Sequence, residues 1–189
     1  TQYEGDWLVE GGVAHVKPHH GAKALLDGVQ FADGEIEVEM KFGKQAAHIG
    51  GILARVSEPK AGADNWHGYE ISLDASGQSV FVGDHRNNWT RRQDHTLHIE
   101  PGEWYKLRAV LNGPRVRVFV GDHAEPLLDY TDPAPLAGGQ HPTRYWPFGF
   151  ESKLNGQSYE ERVYAPAPQG GAMLRRSLTQ WEQTANSVA

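Results

Sequence analysis

The chain has 189 residues, no cysteine and a formal net charge of -6. That length suffices for one domain with a sizeable core, and the missing cysteines exclude disulfides, thiolate metal sites and a cysteine nucleophile together. The acidic balance argues against nucleic acid, which asks for a net basic face, and no apolar run is long enough for a membrane helix.

Alternation of period two runs through most of the sequence. "DWLVEGGVAHVKP" predicts a small hairpin around Gly11 and Gly12. "GEIEVEMKF" alternates strictly, with Ile36, Val38, Met40 and Phe42 on one face and Glu35, Glu37, Glu39 and Lys41 on the other. "HIGGILARV" is apolar enough for a central strand. "GYEISLD" sets Tyr69, Ile71 and Leu73 against Glu70 and Ser72, and "QSVFVGDH" follows after the turn "ASG". "EWYKLRAVL" and "RVRVFV" flank an "NGP" hairpin turn, and "PLLDYTD", "PFGFESK" and "SYEERVYA" read as shorter strands. Turn-separated strands recurring in this way predict an antiparallel sandwich.

Only the tail departs from this pattern. "APAPQGGAM" is a linker by composition, and "SLTQWEQTANSVA" places Leu178, Trp181 and Ala185 at helical spacing behind a Ser177 N-cap. The expected organisation is one β-domain over residues 1–168, then a linker and short helix over 169–189 leading toward a further domain. No signal-peptide pattern is visible, and because the chain starts at Thr1 this carries no information on compartment.

"FADGEIEVEMKF", "GGILARV", "GYEISLD" and "GEWYKLRAVLNGPRVRVFVGD" together resemble the concanavalin A-like, laminin-G-like jelly-roll superfamily. Within it the order is most similar to bacterial carbohydrate-binding modules of the levan-binding type and to 3-keto-disaccharide hydrolase-like domains. The shared framework is Gly51 to Arg55, Gly68 to Ile71, Gly102 to Trp104, and Asn112-Gly113. The resemblance covers roughly residues 5–165 and implies an all-β, two-sheet jelly-roll sandwich, here with a short C-terminal helical extension. It also implies a structural calcium in many members, for which Asp6, Asp27, Asp33 and Asp132 are the candidate ligands.

Two polar segments carry the strongest functional signal. "GADNWHGYE" and "GDHRNNWTRRQDH" flank a hairpin, which should bring Asp64, Asn65, Trp66 and His67 toward His85, Arg86, Asn88 and Trp89. Aromatic faces that bury the C–H face of a sugar, beside charged and amide groups for its hydroxyls, are what carbohydrate binding requires. Arg55, and Trp146 within "RYWPF", complete the candidate set. The expected function is non-catalytic carbohydrate binding as a module of a bacterial polysaccharide-degrading protein, extracellular or periplasmic.

Two alternatives stand beside it. One is a glycoside-cleaving domain using Glu37 and Glu39 as acid and base, which needs two carboxylates about 5 Å apart for a retaining mechanism. Those glutamates are otherwise explained as a solvated ladder paired with Arg55, Lys106 or Arg108. The other alternative is a laminin-G-like protein-interaction domain. The histidines (His19, His20, His85, His95, His98, His123) show no spacing that commits to zinc, and alternation throws His95 and His98 to opposite faces.

Overall fold

Strict alternation becomes two stacked sheets because each strand has one apolar face to bury, and two such faces exclude water by meeting. The computed structural model describes residues 1–10, 13–16, 19–25, 31–43, 48–136, 148–152 and 157–163. The chain enters through β1 (Gln2–Glu4), the hairpin β2 (Trp7–Glu10) and β3 (Val13–Val16), and β4 (His20–Ala24). Long strands follow: β5 (Gly34–Phe42), β6 (His48–Ser57), β7 (His67–Asp74), β8 (Ser79–Arg86) and β9 (Trp89–Thr96). β10 (Trp104–Asn112), β11 (Arg115–Val120), β12 (Leu128–Thr131), β13 (Phe148–Ser152) and β14 (Gln157–Val163) complete them.

One sheet runs β1-β4-β13-β6-β7-β8-β9 and the other β12-β11-β10-β5-β14, with the β2-β3 hairpin apart. The pairings are antiparallel, so the all-β jelly-roll sandwich expected from the sequence is the fold. "HIGGILARV" is indeed a central strand, between β13 and β7. The predicted tail helix falls outside the described residues.

The core lies between the sheets. Val38, Met40, Phe42, Leu107, Ala109 and Val118 of one meet Ile52, Tyr69, Ile71, Leu73, Val80 and Val82 of the other. Glu37 and Glu39 project from the opposite, solvent-side face of β5, where Glu37 stands opposite Arg108 and Glu39 opposite Lys106. Arg108 reaches Glu35 at 3.2 Å and Lys106 reaches Asp122 at 2.5 Å. Arg55 takes no part in this ladder. It is buried on the other sheet, where its guanidinium holds Asp33 at 2.5 Å and the Ala32 carbonyl at 2.7 Å.

His15 in β3 is a buried histidine whose Nδ1 has no hydrogen-bond partner among the described residues. Burial, and then the charge of Lys41, push its imidazole down to about 4. An unfolded histidine, titrating near 6.5, accepts a proton that the folded one refuses until about pH 4. Its contribution is therefore complete above pH 6.5 and is lost as pH falls through this window, by about 2–3 kcal/mol. Urea unfolding at pH 7.5 and 4.5 should show this slope in the wild type and a shallower one in His15→Gln. An unchanged slope in the variant would refute the assignment.

Candidate functional site

The outer face of the seven-stranded sheet is hollowed where glycines replace side chains. A Cβ on Gly51 would lie 2.0 Å from the Ile71 carbonyl oxygen, and one on Gly83 would lie 2.0 Å from the Trp89 ring. The bare backbone at Gly83 therefore lets the Trp89 indole lie across β8. Around this hollow β7 contributes Glu70, β8 contributes Phe81 and His85, β9 contributes Trp89 and Arg91, and β4 contributes Lys23. The loop before β7 closes one side with Ala63, Asp64 and Trp66. The result is a pocket of about 60 Å³, room for a few waters.

His85 is its centre. Antiparallel register sets Gly68 against His85 and Glu70 against Gly83 on β7 and β8, and His85 against Trp89 on β8 and β9. The imidazole stacks on Trp66 at 4.0 Å between centroids and lies 5.0 Å from Trp89. Its Nε2 is 2.9 Å from Glu70 Oε2. Its Nδ1 is 3.3 Å from Asp64 Oδ1, within ion-pair range but out of line for a hydrogen bond. A neutral imidazole has one N–H to give, so the two carboxylates compete for one ring unless it is doubly protonated.

Lys23 is buried, with its ammonium donating to the Gly62 carbonyl. Burial pushes its pKa down, and the carboxylates of Glu4 and Asp64 oppose that. The Gly62 N–H in turn donates to Glu4 at 2.8 Å, which ties the 61–66 loop to β1. Arg91 lies over Phe81 at 4.3 Å and reaches Asp74 at 3.4 Å.

The ten predicted sugar contacts divide into groups. Asp64, Trp66, His85 and Trp89 line the pocket. Trp66 does so differently from what its polar neighbours suggested. Its ring is 1% exposed, packs with Leu25, Leu53 and Val56, and donates its indole N–H to the Ala63 carbonyl at 2.8 Å. It is a wall behind His85, with no free face for stacking. Trp89 is half-buried at the start of β9.

Two of the ten brace the sandwich, Arg86 from its partly exposed edge and Arg55 from inside. Arg86 spans Asp84 at 2.7 Å, Asp132 at 3.1 Å and the Ala134 carbonyl at 2.7 Å, and Arg55 is buried as described above. Asn65 lies in the loop before β7, His67 opens β7 opposite Arg86, and Asn88 lies in the turn between β8 and β9; none of them lines the pocket. The Asn65 amide bonds to the Ala61 carbonyl, the His67 ring to Asn87, and the Asn88 carbonyl to the Arg86 amide. Trp146 lies outside the described residues.

Lys23, Glu70, Phe81 and Arg91 were missed. Glu70 was legible as the polar member of the β7 alternation, but nothing local marks Lys23. No three histidine or acidic side chains converge on a metal position among the described residues. Of the calcium candidates, Asp33 is held by Arg55 and the Gly113 N–H, and Asp132 by Tyr69 and Arg86. Asp6 lies between β1 and β2, and Asp27 is outside the described residues.

Residues 1–161 match a family model described as the 3-keto-alpha-glucoside-1,2-lyase-like domain. No curated protein sequence matches. Among solved structures the chain is similar to the carbohydrate-binding module CBM66 from Bacillus subtilis, with TM-score 0.66, 14% identity, and coverage of 97% of this chain and 94% of that one. It is also similar to a protein of unknown function with a galectin-like fold from Bacillus subtilis, with TM-score 0.59, 11% identity and coverage of 84% and 85%. A putative glycosyl hydrolase from Parabacteroides distasonis follows, with TM-score 0.51, 15% identity and coverage of 81% and 79%. At these identities the likeness is one of fold.

Proposed function

The chain belongs to the 3-keto-alpha-glucoside-1,2-lyase-like domain family, and from that premise we propose that it is a carbohydrate-recognition domain whose ligand sits in the His85 pocket. The observation that carries this reading is the pairing, in one hollow, of the partly exposed Trp89 ring with four charged groups, Lys23, Asp64, Glu70 and Arg91. A sugar offers an apolar C–H face and a rim of hydroxyls, and this hollow offers a partner for each. The hollow holds two carboxylates and two cations, which suits hydroxyls, since each both donates and accepts. The pocket takes the edge of one sugar ring, so recognition falls on a terminal or protruding residue of a glycan. The domain then works outside the bacterial cytoplasm, holding an attached catalytic domain near its polysaccharide.

A glycan array with purified domain tests this reading. Binding should be lost or reduced about 10-fold or more in Trp89→Ala, since an aromatic anchor contributes about 2 kcal/mol at a recognition centre. Glu70→Gln should weaken binding too, and Arg117→Ala on the far sheet should not. Unchanged binding in Trp89→Ala and Glu70→Gln together would sink the proposal.

A second reading is favoured by the clamp of His85 between Glu70 and Asp64 beside a buried lysine. A 1,2-elimination takes a proton from one carbon and a leaving group from its neighbour, which calls for a positioned base and acid. These four residues carry that role better than Glu37 and Glu39, which stand on an open sheet face away from the pocket. Incubation with a 3-keto-glucoside, followed by mass spectrometry, separates the readings. Turnover lost in His85→Ala and Glu70→Gln supports catalysis, and binding without turnover supports the module. The protein-interaction alternative asks for a large apolar patch. Among the described residues the exposed large hydrophobic side chains are Leu8, Val9 and Trp104, which lends it little support.

A further inference from the structure

The opposite face of the sandwich carries its own aromatic feature. Trp104 opens β10 with 42% of its surface exposed, on a sheet face that also carries Lys106, Arg108, Arg117 and Val110, with Phe119 buried under the Arg108 guanidinium. Register places it beside Lys41 and places Lys106 beside Glu39. The Lys41 ammonium lies 5.2 Å from the ring centroid. Beyond Lys106 the chain turns at Gly121, whose N–H donates to the Lys106 carbonyl at 2.8 Å. A Cβ at Gly121 would meet nothing closer than His123 at 4.0 Å, so this position opens the face instead of filling it. Glu39, Trp104, Lys106, Gly121 and Asp122 together line a depression.

A single exposed apolar side chain is ordinary on a protein surface, but this indole stands at the edge of a depression lined by charged groups, the pairing of apolar face and polar rim that a sugar ring requires. The groups around it are hydroxyl partners of both signs. The Lys106–Asp122 pair is held at 2.5 Å, but Asp122 is 90% exposed, so solvent screens the pair and it can open to a ligand at little cost. We propose that Trp104 is the platform of a second carbohydrate subsite, which stacks one ring of a neutral glycan and hydrogen-bonds its hydroxyls through Glu39, Lys106 and Asp122.

The inference rests on the carbohydrate reading above but uses none of the same residues. The two sites lie on outward faces of different sheets, so the domain engages two glycan segments at once and gains retention on polymers but not on short ligands.

Affinity electrophoresis in gels containing levan, dextran or arabinoxylan tests this directly, alongside titration with a trisaccharide of whichever polymer retards the wild type. Trp104→Ala should weaken polymer binding about 3-fold or more and leave trisaccharide affinity unchanged. Asp122→Ala, at an exposed position where folding is safe, should move polymer binding the same way. Trp89→Ala should retain weak retardation that vanishes in the Trp89→Ala, Trp104→Ala double variant. Wild-type retardation in both Trp104→Ala and Asp122→Ala, with the double variant no worse than Trp89→Ala, overturns the second site and leaves the pocket standing. A wild type retarded by no polymer overturns both.

Discussion

Val118→Asp should yield no folded domain. Val118 lies in the middle of β11, fully buried, opposite Ala109 of β10 and Leu128 of β12. Its face of the sheet is the core, where Val38, Leu107 and Val116 also sit, and the sequence places no basic residue on that face of β11. An aspartate there keeps its charge without a partner or takes up a proton, and either choice costs several kcal/mol. That approaches the whole stability of an ordinary domain, about 5–15 kcal/mol. Val118→Ala removes only volume and should cost about 2 kcal/mol. Circular dichroism and amide dispersion should therefore show a folded alanine variant and an unfolded aspartate variant. A native spectrum for Val118→Asp would mean that this face of β11 is not buried.

Asp84→Ala should have the next largest effect. Asp84 is 1% exposed and accepts from Arg86 Nε at 2.7 Å and Arg92 Nε at 2.8 Å. Arg86 continues to Asp132, which accepts from the Tyr69 hydroxyl at 2.6 Å, and that oxygen accepts from the Leu136 N–H at 3.0 Å. This network ties β7, β8 and β9 to the segment after β12. Burial pushes the Asp84 carboxyl up, but the hydrogen bonds from Arg92 and Arg86 outweigh it and hold the pKa below the usual range. Its contribution is thus present above about pH 4, where an unfolded aspartate has already ionised, and is lost only as pH falls further.

Removing the carboxylate strands two guanidinium groups. Breaking a buried pair costs about 3–5 kcal/mol. Both arginines are roughly one-third exposed and can turn to water, so the expected loss is about 2–4 kcal/mol. Denaturant midpoints at pH 7 measure it. A loss below about 0.5 kcal/mol, the level of an ordinary surface change, would show that the network does not bear on stability.

The fold was legible because alternation is a local signal. "GEIEVEMKF", "EWYKLRAVL" and "RVRVFV" each declare their buried face within a few residues, and those faces are the ones that meet. The site is legible only in part, because its polar strand has no run of apolar residues to mark which face is buried. "GDHRNNWTRRQDH" is a hairpin turning at Asn87, whose φ of 58° suits the left-handed position of a tight turn. Its residues sort by alternation into two jobs. His85, Trp89 and Arg91 face the pocket, while Asp84, Arg86 and Arg92 form the bracing network. Composition alone does not separate the two jobs, since Arg86 is as polar as the residues that face the pocket.

The burial of Trp66 was hidden for a different reason. Its sequence neighbours Asn65 and His67 are polar, yet the ring is covered by Leu25, Leu53 and Val56 from strands and segments distant in sequence. A local window cannot see that cover. Lys23 was invisible on the same ground, since its place beside the pocket comes from pairing of β4 with β13 and from the loop that folds over it.

The most direct test of the central claim is a titration of isotopically labelled domain with a short oligosaccharide that binds it, followed by amide and indole N–H resonances. The pocket reading predicts that the Trp89 indole and the backbone amides of Asp64, Gly83 and His85 shift together along one saturating curve, while Arg117 and Val118 stay in place. Saturation with those pocket resonances unmoved, and shifts gathered elsewhere on the domain, would contradict it.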